Sequence, residues 1–262
     1  MSRTGATSPS GDPPTAEAET LTRASAASQP PSRLGLRPGQ QIELRYLIRA
    51  AELPELRKLA ERVERIAQGA ALMTETTVES RVVSGMSNLL SNTPLEKAMY
   101  DNFQRLGAPE FDEADRDFAR AIQKTVRQED IVAAHRRFGL PVTEAPLCDR
   151  IAPLDAPPPP SVGSTDVGDV SWVVPTVQAR GATYAVGTPG HSWQLTAQGK
   201  TAAAHKGLEH VAKVMAGTAL DALRDPTLIE RAKADHRARL AETPFVNPIP
   251  DDVQPPLAMA GH

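Results

Sequence analysis

Cysteine occurs once in 262 residues, at Cys148. One thiol excludes an internal disulfide framework and any cysteine-rich zinc module, and it fits a reducing compartment. Aromatic side chains are nearly missing as well, at 4%, within a hydrophobic share of 40%. A core must therefore be built from Ala, Leu and Val. No apolar run approaches the length that spans a bilayer, and the first residues lack the apolar stretch of a secretory leader. An excess of one charge is absent too: 29 Lys and Arg against 32 Asp and Glu leave a net charge of -3. That balance gives no electrostatic reason to expect nucleic acid or an anionic membrane as partner. There is no Gly-x-Ser-x-Gly elbow, no Gly-rich phosphate loop and no internal repeat. These absences lead to the expectation of a cytoplasmic protein of one large or two small domains.

Residues 1–40 are rich in Ser, Thr, Pro and Ala, with almost no large apolar side chain before Leu34. Their composition predicts disorder, because so little apolar surface cannot offset the entropy of ordering. From Gln41 the pattern changes. Ile42, Leu44, Tyr46 and Ile48 alternate with charged residues, the mark of a half-buried strand. Pro54 opens a helix with Leu56, Leu59, Val63 and Ile66 as its buried stripe, ended by Gly69, and 76–83 reads as a second strand. Pro94 starts a helix lined by Leu95, Met99, Phe103 and Leu106, and 112–128 reads as another, its acidic start solvated at the positive helix end. Residues 131–162 form an irregular connection ending in four prolines. Beyond it come a short strand at 182–186 and a helix over 201–223 with Leu208, Ala212, Met215 and Leu220 inward. The last helix opens at Asp225-Pro226 and turns Leu228, Ile229, Ala232 and Leu240 inward.

The stretch 163–206 concentrates the chemistry. It holds GSTDVGDVSWVVPTV, then GTPGHSWQ, then AHKGL. In the second, Gly and Pro fix a bent backbone and hold His191 on a loop, a place suited to a metal ligand or an acid/base group. In the first, small residues let backbone N–H groups converge, and the hydroxyls of Ser164 and Thr165 can donate to a carboxylate. An ST-turn satisfying its own backbone is an equal reading. His135 and His236 lie among arginines and are expected on solvated faces; His262 is a tail.

These three motifs, in this order, resemble the C-terminal part of the M20 family of metal-dependent peptidases and amidohydrolases, nearest to its aminobenzoyl-glutamate hydrolase branch. The resemblance extends from about Gln41 to the Pro-rich tail. It implies an α/β fold: the C-terminal part of an M20-type catalytic domain over 163–262, and half of a ferredoxin-like lid, or dimerisation domain, over 41–130. The activity it implies is hydrolysis of an amide linking an acyl or aryl-amine group to an amino acid such as glutamate. It implies a divalent metal, zinc or manganese, with His191 as a ligand, and a substrate carboxylate contacted by Gly163, Ser164 and Thr165. His205, in the first turns of a helix, reads either as a further substrate contact or as a structural hydrogen-bonding group. Lys206 would add positive charge beside the anionic substrate.

The family's His-x-Asp motif and Glu-Glu pair occur nowhere in the sequence. With no residue assignable to catalysis and one histidine matched as a ligand, the chain reads as a fragment inactive alone. It would need a complementing N-terminal catalytic half, or pair with a second copy, through the lid. The alternative is a non-catalytic subunit or interaction module that associates through the half-lid, whose open sheet edge would recruit a partner.

Overall fold

The computed structural model describes residues 16–26, 41–156, 164–254 and 257. The chain divides into two compact units. One comprises the described parts of Pro14–Leu89, Ser161–Val173 and Pro244–His262, the other those of Leu90–Pro160 and Val174–Thr243.

The first unit is a sheet with a helix on one face. β1 (Ala16–Ala26) is the middle strand, antiparallel to β2 (Gln41–Ala50) on one side and to β3 (Thr76–Met86) on the other. The register runs from Ala16 opposite Ala50 to Ser25 opposite Gln41, and from Glu17 opposite Met86 to Ala26 opposite Thr76. Residues 16–26 thus correct the expectation of disorder for 1–40. Neighbours on both sides satisfy the backbone of this Ala- and Thr-rich segment, and that pairing outweighs its lack of large apolar groups. The rest of 1–40 lies outside the described residues.

α1 (Leu53–Thr74) has Pro54 in its first turn, where the missing N–H costs nothing. Its Leu53 and Leu56 are buried against Ile48, flanked by Leu59, Ala60 and Val63. The helix runs through Gly69 and ends at Glu75, which takes the left-handed conformation (φ 55°) and returns its N–H to Ala71 and Leu72. The buried stripe stops short of Ile66, which is exposed, as are Ile42, Leu44 and Tyr46 on the strand.

α5 (Val167–Val173) docks on the segment that leaves β3. Gly168 meets the Ser87 carbonyl so closely that a Cβ there would overlap it. Asp169 Oδ1 accepts from the Ser87 N–H (3.0 Å), and Trp172 Nε1 donates to the Asn88 carbonyl (2.7 Å) while its ring meets Phe245. Asn88 Oδ1 in turn accepts from the Leu53 N–H.

The second unit contains helices and no strand among its described residues. α2 (Thr93–Leu106) and α8 (Pro226–Glu242) meet through Leu95, Leu228 and Ala232, and the Asn92 amide, just before α2, donates to the Ala232 carbonyl (2.8 Å). α7 (Ala202–Arg224) packs on α2 through Val214 against Met99 and Phe103. Its buried side is small and partly polar: Ala203, Ala204, Gly207, His210, Val214 and Thr218. The side expected inward is outward instead: Leu208 is 62% exposed and Met215 55%, and Ala212 and Leu220 are exposed with them. Close backbone approach explains the reversal, since a Cβ on Gly207 would collide with the Ala182 carbonyl.

The helix expected over 112–128 is two helices, α3 (Glu113–Gln123) and α4 (Gln128–Arg137). α3 begins with a reciprocal capping box between Asp112 and Asp115, and with Phe111, Leu147, Ala185 and Ala203 it encloses the remaining core through Ala119 and Ile122. No strand forms at 182–186. α6 (Trp193–Gln198) completes the set. No described helix is long and apolar enough to cross a membrane.

Candidate functional site

The loop that carries His191 is built from its anchors. Gly187 adopts φ 87° against Ile131, where a side chain would clash. Thr188 returns both its N–H and its hydroxyl to the Ala185 carbonyl. Ser192 caps α6: its hydroxyl accepts from the Leu195 N–H (3.2 Å) and donates to the Pro189 carbonyl (2.7 Å). Beneath them the buried Gln198 clasps the loop. Its Oε1 accepts from the Ala185 N–H (2.7 Å), and its amide donates to Thr188 Oγ1 and the Gln194 carbonyl. Nothing in the sequence marks Gln198 as special; it reads as one more polar helix residue.

Held between these anchors, His191 has a left-handed backbone (φ 54°), one of two non-glycine residues described with positive φ. Its side chain is exposed. A bulky residue in that region is disfavoured and is kept there by the fixed turns around it. An exposed imidazole on such a rigid loop is able to take a ligand without a costly rearrangement.

His205 lies in the same continuous stretch, exposed in the first turn of α7 beyond the Thr201 cap. Lys206 is occupied. Its ammonium bridges Asp112 (2.7 Å) and Asp115 (2.5 Å), and this raises its pKa above the usual lysine value while holding Asp112 below the usual carboxylate range. The positive charge expected beside a substrate thus goes to the capping box of α3. The acidic start of that helix is correspondingly not all solvated, since Asp115 is buried.

Ser164 and Thr165 belong to the other unit, and Gly163 lies outside the described residues. The Thr165 hydroxyl donates to Asp166 Oδ1 and accepts from the Val167 N–H, and its carbonyl accepts from the Gly168 N–H (3.0 Å). That is the local turn, engaged with itself as α5 begins.

The other histidines are structural. His135 and His236, expected on solvated faces, are buried: the arginines beside them in sequence occupy other sides of their helices. His135 Nδ1 meets the Ile131 carbonyl (2.9 Å). His210 Nε2 donates to the Gly107 carbonyl (2.7 Å), and its ring lies against Phe103. His262 lies outside the described residues.

A closed metal site needs about four donors, or three with an open position. Among the described residues no three His, Cys, Asp or Glu side chains come together in that way. The donors present do not by themselves fit a divalent cation.

The chain is 40% identical over 226 residues to a p-aminobenzoyl-glutamate hydrolase subunit of Escherichia coli (strain K12), covering 82% of this chain and 47% of that protein. The chain resembles M20-type peptidases and amidohydrolases. It is also 29% identical over 210 residues to the Xaa-Arg dipeptidase of Homo sapiens, covering 79% of this chain and 38% of the dipeptidase. The Xaa-Arg dipeptidase of Mus musculus gives 28% over 208 residues, with 78% and 38% covered. The chain therefore spans half or less of the length of these relatives. No family model matches it. Peptidase kinship points to a divalent metal for the relatives' chemistry, and the first relative carries the name of a subunit.

Proposed function

We propose that this chain supplies the C-terminal part of an M20-type metal-dependent amidohydrolase that cleaves an amide to an amino acid, of the aminobenzoyl-glutamate or acyl-amino-acid type. The observation that carries the reading is 40% identity to a named aminobenzoyl-glutamate hydrolase subunit across 82% of the chain. In this reading 163–262 is part of the catalytic domain, and β1, β2, α1 and β3 are lid. The metal is zinc or manganese, and the setting is cytoplasmic.

The chain's own residues hold and orient. His191 offers one imidazole to the metal from a loop that Gln198 and Ser192 fix in place. When bound, the metal would supply Lewis acidity. The GSTD turn of Gly163, Ser164 and Thr165 is one candidate contact for a substrate carboxylate, and His205, on the other unit, is a separate one. The remaining metal donors come from a complementing half or a second copy.

A second reading, a non-catalytic subunit that associates through the lid, is favoured by the donor shortage and by the exposed Ile42, Leu44 and Tyr46.

Metal analysis separates the two. Joined with the part of the Escherichia coli protein outside the match, the chain should bind divalent metal in near-stoichiometric amount, and His191→Ala should lower metal affinity and turnover together. Metal-free, inactive complexes would favour the non-catalytic subunit. Unchanged metal and turnover in His191→Ala would remove His191 from the site.

A further inference from the structure

α7 buries a small, partly polar side and leaves its large apolar side chains in solvent. Leu208, Met215, Leu220 and Leu223 are 62%, 55%, 47% and 81% exposed, and Ala212, Ala216 and Ala219 are exposed among them. With about 3.6 residues per turn, Leu208, Ala212, Met215, Ala219 and Leu223 fall in one line about four turns long, flanked by Ala216 and Leu220. No charged residue interrupts the line, and Glu209 and Arg224 border the same edge of it. The patch amounts to roughly 600 Å², the upper end of what a monomer leaves bare in one place and near the ~800 Å² that one partner gives a standard interface.

The line also reads the same from both ends. Turned antiparallel about its midpoint, between Met215 and Ala216, it sets Leu208 against Leu223, Ala212 against Ala219 and Met215 against Ala216 of a second copy. Small side chains then meet small ones inside the contact, which lets two helices approach closely, and leucines close it at both ends. On the bordering edge Glu209 comes within one helical turn of Arg224 of the second copy, twice by symmetry, so the rim pairs opposite charges. We propose that α7 is a self-association helix, through which two copies of the chain pair antiparallel about a twofold axis at Met215 and Ala216. A twofold contact uses one patch twice and requires that the patch complement itself, in shape and in charge. That requirement, which this line meets, selects a second copy as the occupant. The contact lies on the helical unit rather than the lid and stands apart from the hydrolase reading.

The test is the mass of the full 262-residue chain by sedimentation equilibrium at micromolar concentration. A dimer is expected, and Leu208→Glu and Leu223→Glu should each weaken it at least about tenfold. Both side chains are exposed, so both variants should keep the wild-type circular dichroism. Orientation is read by oxidative cross-linking in a Cys148→Ser background. Met215→Cys, at the axis, should join two chains, and Leu208→Cys, far from its own symmetry mate, should not. A monomer, a dimer that both charge variants leave unchanged, or cross-linking at Leu208→Cys as strong as at Met215→Cys would each overturn the proposal. So would a chain that is monomeric alone and binds the unmatched portion of the Escherichia coli relative through Leu208, since this face would then have another occupant. Should a charge variant fail to fold, the wild-type mass and the cross-linking pattern decide.

Discussion

β1 and residues 175–183 are both extended, and both lie against partners, but of different kinds. β1 spends its main chain on two neighbours along its whole length, from Ala16 to Ala26. The run 175–183 touches helices through its side chains and, among the described residues, pairs with no strand. One segment is held by a ladder and the other by side-chain packing. The same contrast recurs elsewhere. Lys206, Asp112 and Asp115 satisfy one another, whereas Glu96, buried in α2, has an Oε2 with no hydrogen-bond partner, and His191 offers its ring to solvent.

The largest effect should come from breaking the finished strand. Thr20 lies opposite Tyr46 and Val82. Thr20→Pro removes a ladder hydrogen bond in a middle strand and should cost about 3 kcal/mol or more, read by urea unfolding.

Glu96 sharpens the contrast from the other side. Burial pushes its carboxyl up to about 7, against the opposing pull of Arg239 and of hydrogen bonds from Ser91 and Asn92, with Asp235 adding to the rise. A folded-state pKa above the unfolded value means that the folded protein holds the proton longer. The stability this gives is complete below about pH 4.5 and is lost as pH rises toward 7. Glu96→Gln should flatten that fall and be more stable than wild type at pH 8 by on the order of 3 kcal/mol, seen by comparing melting curves across pH.

A smaller effect is expected at Lys206. Its pair with Asp112 stabilises above the ordinary carboxylate pKa of 3.8 and below the ordinary lysine value of 10.5. Lys206→Met should therefore lower the melting temperature at pH 7, by an amount that shrinks as pH falls below 3.8 through the lowered pKa of Asp112.

The smallest is the counterpart of the first. Gln178→Pro, in the run with no ladder to break, should alter the stability of the chain alone by under about 1 kcal/mol in the same urea unfolding. A loss as large as that of Thr20→Pro would abolish the distinction between the two segments.

Periodicity in the sequence locates β2, α1, β3, α2, α7 and α8, and in α1, α2 and α8 much of the apolar pattern is also the part that packs against neighbours. It failed where a partner decides. β1 is made of Ala, Thr and Glu and looks unstructured until two strands flank it. Residues 182–186 carry Thr, Tyr and Val and look like a strand, but no neighbour among the described residues completes one. On α7 the large side chains suggested the inward face, while the helix actually buries its small ones, because Gly207 brings the Ala182 backbone close. Of the site, the position of His191 on a bent loop was legible from Pro189, Gly190 and Ser192. Its support was not: a buried Gln198 has no sequence signature, and the diversion of Lys206 to Asp112 and Asp115 depends on a contact 91 residues away.

The most direct measurement is of the chain by itself. Purified without a partner, supplied with zinc or manganese, and assayed on aminobenzoyl-glutamate and acyl-amino-acid substrates, it should show no turnover, because it brings His191 and no second matched donor to a cocatalytic site. Turnover that follows added metal and disappears in His191→Ala would contradict the account, since the other donors would then have to come from within this chain.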